Sequence, residues 1–125
     1  MSTTKEDIYI HNTYIEPTTH SARDIPPILH SLKGLLENEG KHIILGDFNL
    51  HHPLWNSSMY DKHHYIADEL LDIVTDIDAT LYTPKGLATR NCQRGIHHEQ
   101  TTIDLIFSNL ESIDLNTPQI RYNLE

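Results

Sequence analysis

The alternation of apolar and polar positions divides the chain into short strands and two amphipathic helices. Residues 7–15, DIYIHNTYI, read as a strand with Ile8 and Ile10 on one face and Asn12 next in the same register. Tyr9, His11 and Tyr14 blur a clean period of two, and Pro17 with the following threonines ends the run. Residues 23–39 read as a helix. Ile28, Leu29, Leu32, Leu35 and Leu36 recur at i, i+1, i+4, i+7 and i+8, which makes one apolar face. Ser21 or Asp24 suits the N-cap, Pro26-Pro27 a first turn, and Gly40 the C-terminal stop. His42 to Leu45 is apolar and β-branched, the pattern of a buried strand, and Gly46 breaks it. Residues 51–62 lack periodicity and carry Pro53, Asn56 and two serines, so they read as a surface loop leading away from residue 47. A second helix spans 63–77, with Ile66, Leu70, Ile73, Val74 and Ile77 on one face. Leu81-Tyr82 begin a short strand, Pro84-Lys85-Gly86 turn it, and residues 87–92 form another. The polar stretch 93–100 is a hairpin or loop. Thr101–Ser108 is a strand with Ile103, Leu105 and Phe107 facing one way, Asp104 and Ile106 the other. Residues 118–124 are a last strand candidate. Strand, helix and strand in close succession predict an α/β (α+β) layered domain, with no repeat or interdomain linker.

Composition narrows the function classes. The chain has 125 residues, enough for one small domain. No stretch is long and apolar enough to span a bilayer, so no membrane partner is expected. The start, MSTTKEDIYI, carries charge where a signal peptide needs an apolar run, and the chain reads as intracellular. A single cysteine, Cys92, excludes an internal disulfide and a cysteine zinc cluster, and no motif around it marks a nucleophile. Nine basic against eighteen acidic residues give a formal charge of −9. Duplex DNA is held largely by cationic neutralisation of phosphates, so the chain is a poor sequence-independent DNA binder unless metal ions or another segment bring positive charge.

Chemistry concentrates after the Ile43-Ile44-Leu45 strand. Asp47 and Asn49 stand two apart, and in extended backbone residues i and i+2 point the same way. A carboxylate and a carboxamide then project together: one offers charge for a metal or a proton, the other both donors and acceptors. The plainer alternative is an Asx turn closing a strand. Ten histidines include three adjacent pairs, His51-His52, His63-His64 and His97-His98. Sequence neighbours point apart in strand or helix, so a pair does not readily chelate one ion, and zinc sites more often use i, i+4 pairs or cysteine mixtures.

Gly46-Asp47-Phe48-Asn49, preceded by the apolar strand and followed by His51-His52-Pro53-Leu54-Trp55, resembles the endonuclease/exonuclease/phosphatase superfamily. Within it, the match is closest to the endonuclease domains of non-LTR (LINE-type) retrotransposons. Asn12-Thr13-Tyr14-Ile15-Glu16-Pro17 is similar to the family's Asn-x-Tyr-x-x-Pro strand, and Thr101–Ser108 to its Ser/Thr-x-Ile-Asp-Leu-x-Phe strand. The Asp47 motif is fairly specific; the other two are weak alone and carry weight as an ordered series. The resemblance implies a four-layer α/β-sandwich of the deoxyribonuclease I-like type, partial here, and phosphodiester hydrolysis of DNA assisted by Mg2+ or Mn2+. It implies roles for particular residues. Asp47 orients or deprotonates the attacking water and is the metal-side carboxylate. Asn49 holds a phosphate oxygen, Tyr14 contacts the phosphate, and Asp104 orients a catalytic histidine. His51 and His52 line the substrate side. By the same resemblance the nucleus is admissible as the place of action, although no signal for it stands in the sequence.

The departures from the family pattern set further expectations. The family's metal-binding Glu belongs to an N-terminal half that has no counterpart before Asp7, and its Ser-Asp-His motif is not reached by Glu125. The expectation is a single partial domain over residues 1–125, a weakly bound metal, and weak or no nucleic-acid binding for this chain by itself. Two readings stay open: a piece of a retrotransposon-type endonuclease, and a catalytically dead remnant serving as a small α/β interaction or metal-binding module.

Overall fold

The computed structural model describes residues 7–16, 25–60, 62–94 and 97–111. Its centre is a four-stranded sheet in the order β1-β2-β6-β3. Strand β1 (Ile8–Tyr14) lies parallel to β2 (Lys41–Asp47), joined through helix α1 (Pro27–Leu35). Strand β6 (Asp104–Ser108) runs antiparallel to β2 on its other side, and β3 (Thr80–Leu81) closes the sheet against β6. Helix α2 (Tyr65–Thr75) precedes β3, and β4 (Arg90–Arg94) with β5 (His97–Thr101) forms a separate antiparallel hairpin.

Alternation along the strands decides which face is the core. Ile44 of β2 and Leu105 and Phe107 of β6 point to one face, where they cluster with Leu29, Leu32 and Leu36 and with Ile66, Leu70 and Val74. Both helices therefore cover that same face. Phe48 and Trp55 close the cluster edge-on against Phe107, with ring centroids 6.1 and 6.3 Å away. At the far end His42 is buried between two hydrogen bonds, one from His11 at 2.9 Å and one to the Asn38 carbonyl at 2.9 Å. Donation from His42 Nε2 to that carbonyl leaves Nδ1 as the acceptor, so His11 donates through Nε2.

The opposite face is open among the described residues. Ile8 and Ile10 share a face with Asn12, as the periodicity implies, but that face is solvent-exposed, with Ile8 at 55% and Ile10 at 67%. Gly46 explains how β1 and β2 approach so closely. Its φ is +146°, and a Cβ there would collide with the Thr13 carbonyl.

Three expectations change. The first helix begins at Pro27, with Pro26 in the N-cap position and no side-chain cap bond, rather than at residue 23. Ser21 and Asp24 lie outside the described residues, as does the strand expected at 118–124. Of its expected apolar face, Ile28 and Leu35 are exposed, because nine residues present only Leu29 and Leu32 squarely to the sheet. The stretch 101–108 is two strand ends, not one strand. Thr101 finishes β5, and Thr89 Oγ1 accepts from the amides of both Ile103 (2.9 Å) and Asp104 (3.1 Å), so the backbone changes sheets there. The loop after Asn49 is not a surface excursion: Leu50, His51, Trp55 and Asn56 are all buried.

Candidate active site at the end of the central strands

The ends of β1, β2 and β6 meet at one place. Tyr14 pairs with Asp47 in the parallel register, and Asp47 pairs with Asp104 in the antiparallel one. Residues directly opposite in a ladder project to the same side. Tyr14, Asp47 and Asp104 therefore stand in a row on the open face. Tyr14 is exposed, Asp104 is exposed, and Asp47 is half-buried. Partial burial pushes the Asp47 carboxyl above the usual carboxylate range, and the Asp104 charge adds to the shift. The Asn49 amide and the charge of Arg90 at the start of β4 pull it back.

Asn49 does not continue the strand. Its φ is +47°, and its backbone amide donates to Asp47 Oδ1 at 3.2 Å, closing a local Asx turn. The carboxamide Nδ2 donates to the Ile15 carbonyl at 2.7 Å in a buried contact. Alternation therefore fails to bring Asn49 alongside Asp47; a turn does so instead. One N–H of the amide is committed to tying β1's end to the loop.

His51 and His52 part company. His51 is buried, and Asn56 Nδ2 lies 3.3 Å from its Nδ1. Burial, with the nearby His64 and Lys62, depresses its pKa to about 4, so the ring is neutral at physiological pH. His52 turns outward and lies 3.2 Å from Asp68 Oδ1 in α2. Neither ring contacts the Asp47 row through a hydrogen bond among the described residues. Among the residues whose side chains are described, no histidine forms an ion pair with the Asp104 carboxylate.

Sequence reading missed the residues that hold this end together. Asn56 is fully buried and accepts from the Thr102 amide at 3.0 Å, anchoring the loop to the entry of β6. Trp55 Nε1 donates to the Leu50 carbonyl at 2.9 Å. The only tryptophan of the chain was the available signal, since so large an apolar ring is seldom left in water. For Asn56 and Arg90 the one-dimensional pattern holds no signal.

A family model described as endonuclease-reverse transcriptase matches residues 8–123. Among solved structures, the chain is similar to the endonuclease domain of TRAS1, a telomere-specific non-LTR retrotransposon, with a TM-score of 0.51 and 19% identity. That match covers 66% of this chain and 38% of the other, so this chain spans well under two thirds of the length of that domain. The likeness establishes the fold as mixed α/β of the deoxyribonuclease I-like kind. No curated protein matches the sequence.

Proposed function

Because the chain belongs to the endonuclease-reverse transcriptase family, we propose that the Tyr14–Asp47–Asp104 row is part of a metal-dependent site for phosphodiester hydrolysis on nucleic acid. One observation carries the reading. Two carboxylates face each other across β2 and β6 with a tyrosine hydroxyl beside them, and partial burial, with repulsion by the Asp104 charge after it, raises the Asp47 pKa. A hard divalent cation relieves such repulsion, and an all-oxygen donor set suits magnesium or manganese. The fit is therefore chemical. Asp47 is the carboxylate that would hold the ion, with Asp104 next to it. When bound, the ion supplies Lewis acidity and charge neutralisation at a phosphoryl oxygen. One carboxylate, water and substrate phosphate make a weak magnesium site rather than a closed one.

The chain's own residues divide the remaining work. Asp47 accepts a hydrogen bond from the attacking water and serves to orient or deprotonate it. Tyr14, exposed on the same face, donates to a phosphate oxygen. Asn49 fixes the Asp47 carboxylate through its backbone amide, and its second carboxamide N–H is the donor for phosphate. Arg90 supplies positive charge that acts on Asp47, which matters in a chain of net charge −9. Asp104 orients a catalytic histidine supplied by a longer protein, and DNA is the substrate that such a protein cleaves in the nucleus.

Manganese titration read by NMR tests the metal assignment. Paramagnetic broadening should centre on the amides of Gly46, Asp47 and Leu105 and vanish in Asp47→Asn. Broadening centred elsewhere would overturn it. Nicking of supercoiled plasmid tests the extent of the machinery. Among the residues whose side chains are described, neither a third carboxylate nor a histidine joins the row, and the chain by itself should not nick. A chain completed with an upstream Glu and a downstream Ser-Asp-His should nick and should lose that activity in Asp47→Ala. If the completed chain also failed, the nuclease reading would not stand.

The remnant reading also has an observation behind it. Ile8, Ile10 and Tyr14 are exposed together on one sheet face, a surface suited to contact with another layer. On that reading the completed chain folds but does not nick.

A further inference from the structure

We propose that His52, His63 and Asp68 form a binding site for a borderline divalent cation, zinc by preference, with a fourth position left to water. The site belongs to the loop between β2 and α2, and neither Asp47 nor Asp104 takes part. It does not rest on the nuclease reading.

The loop's own closure brings the ligands together. The His64 amide donates to the His51 carbonyl at 2.8 Å, and the His51 amide returns a bond to His64 Nδ1 at 3.2 Å. This pins the two ends of the loop side by side. His51 and His64 pack against each other on the inside, their ring centroids 4.8 Å apart and their planes tilted by 58°. Their sequence neighbours must then point the other way. His52 and His63 accordingly meet outside, edge to face, at 4.6 Å. Asp68 rises from α2 between them, with Oδ1 at 3.2 Å from His52 Nε2 and 2.9 Å from His63 Nε2.

The three ligand atoms all lie within 4.8 Å of one another. Zinc–ligand bonds of about 2.0–2.2 Å place tetrahedral ligands roughly 3.3 Å apart. The two histidine–aspartate separations already meet that distance. Only the histidine–histidine gap must close, and His63, with 48% of its side chain exposed, is free to move inward. His52 is the fixed member: its side chain is 13% exposed and leans on the Trp55 ring at 5.1 Å. Two imidazole nitrogens favour zinc over magnesium, and one carboxylate keeps the set open to solvent.

Metal capture requires a tautomer change. His52 Nδ1 accepts from the Leu54 amide at 3.0 Å, so in the metal-free protein the proton of neutral His52 sits on Nε2 and points to Asp68. Coordination through Nε2 sends that proton to Nδ1 through water. The exposed Leu54 amide then bonds to solvent instead. No proton is lost or gained by a neutral ring in this exchange.

Titration of the purified chain with zinc sulfate against a chromophoric chelator tests the site. One equivalent should bind. His63→Ala and Asp68→Asn should each weaken binding at least about tenfold, whereas His30→Ala on α1 should not change it. A large excess of magnesium should not compete. The ring nitrogens give a readout independent of any variant. Long-range 15N spectra should show His52 protonated at Nε2 without zinc and at Nδ1 with it. Zinc binding that survives His63→Ala, or a His52 tautomer unmoved at saturating zinc, would overturn the proposal.

Discussion

Replacing Asn56 with alanine should cost this protein a large share of its stability. Asn56 is fully buried, and its carboxamide satisfies two groups at once: it accepts from the Thr102 amide and donates toward His51 Nδ1. Thr102 is itself buried, so its N–H finds no water when Asn56 is cut back. A buried donor left without a partner costs about 1–3 kcal/mol, and a weaker, longer contact such as that to His51 about 0.5–1.5 kcal/mol. The loss should therefore fall near 2–4 kcal/mol. A domain of this size has on the order of 5–15 kcal/mol in all. Each kcal/mol moves the melting temperature by roughly 4–8 °C, so a fall of about 10–25 °C is expected. Urea unfolding followed by tryptophan fluorescence is the assay, since Trp55 is the single tryptophan and fully buried. The midpoint should fall with little change in slope. Asn91→Ala, at an exposed position of β4, is the control and should stay within about 0.5 kcal/mol. An Asn56→Ala midpoint indistinguishable from that control would refute the view that this side chain fastens the loop to β6.

Gly46→Ala should be worse still, since a positive φ and the Thr13 carbonyl both oppose a Cβ; loss of the cooperative unfolding transition is the expected readout. Stability should fall with acid through His51: its folded pKa of about 4 lies below the ordinary histidine value of 6.5, so the unfolded chain binds the extra proton between these limits. The contribution is complete above pH 6.5 and declines toward pH 4, by about 3 kcal/mol at most, and the slope should shrink in His51→Gln when measured with a chelator present. Asp104→Asn should return the Asp47 pKa toward the ordinary carboxylate range, and Arg90→Ala should raise it further; 13C-detected titration of Asp47 decides both.

The elements were legible where one periodicity dominated. Ile66, Leu70 and Val74 placed α2, and Ile103, Leu105 and Phe107 all proved buried. Legibility failed where burial came without period. The stretch from His51 to Asn56 has no repeat, yet it is packed, because its polar groups are satisfied by specific side-chain bonds that leave no trace in hydropathy. In β1 the apolar alternation was real, but alternation alone does not say which face meets the core. Ile8 and Ile10 face out, while Tyr9, His11 and Thr13 face the helices. Of the candidate site, the Tyr14–Asp47–Asp104 row followed from the ordered motifs. Arg90 did not, because its closeness to Asp47 arises only when the hairpin of β4 and β5 folds back.

The histidine pairs show how one local rule serves two ends. Adjacent residues point apart, and this weighs against chelation inside a pair such as His51-His52. The same rule works differently when two such pairs face each other across a closed loop. His51 meets His64 on the inside and His52 meets His63 on the outside. The inner contact is desolvated, which depresses both pKa values. Burial there disfavours charge on either ring. The outer contact keeps water on one side and a carboxylate on the other, and its ring nitrogens remain exchangeable. What divides the four rings is the helix-facing or solvent-facing side of the loop, a property that appears only once the loop is closed.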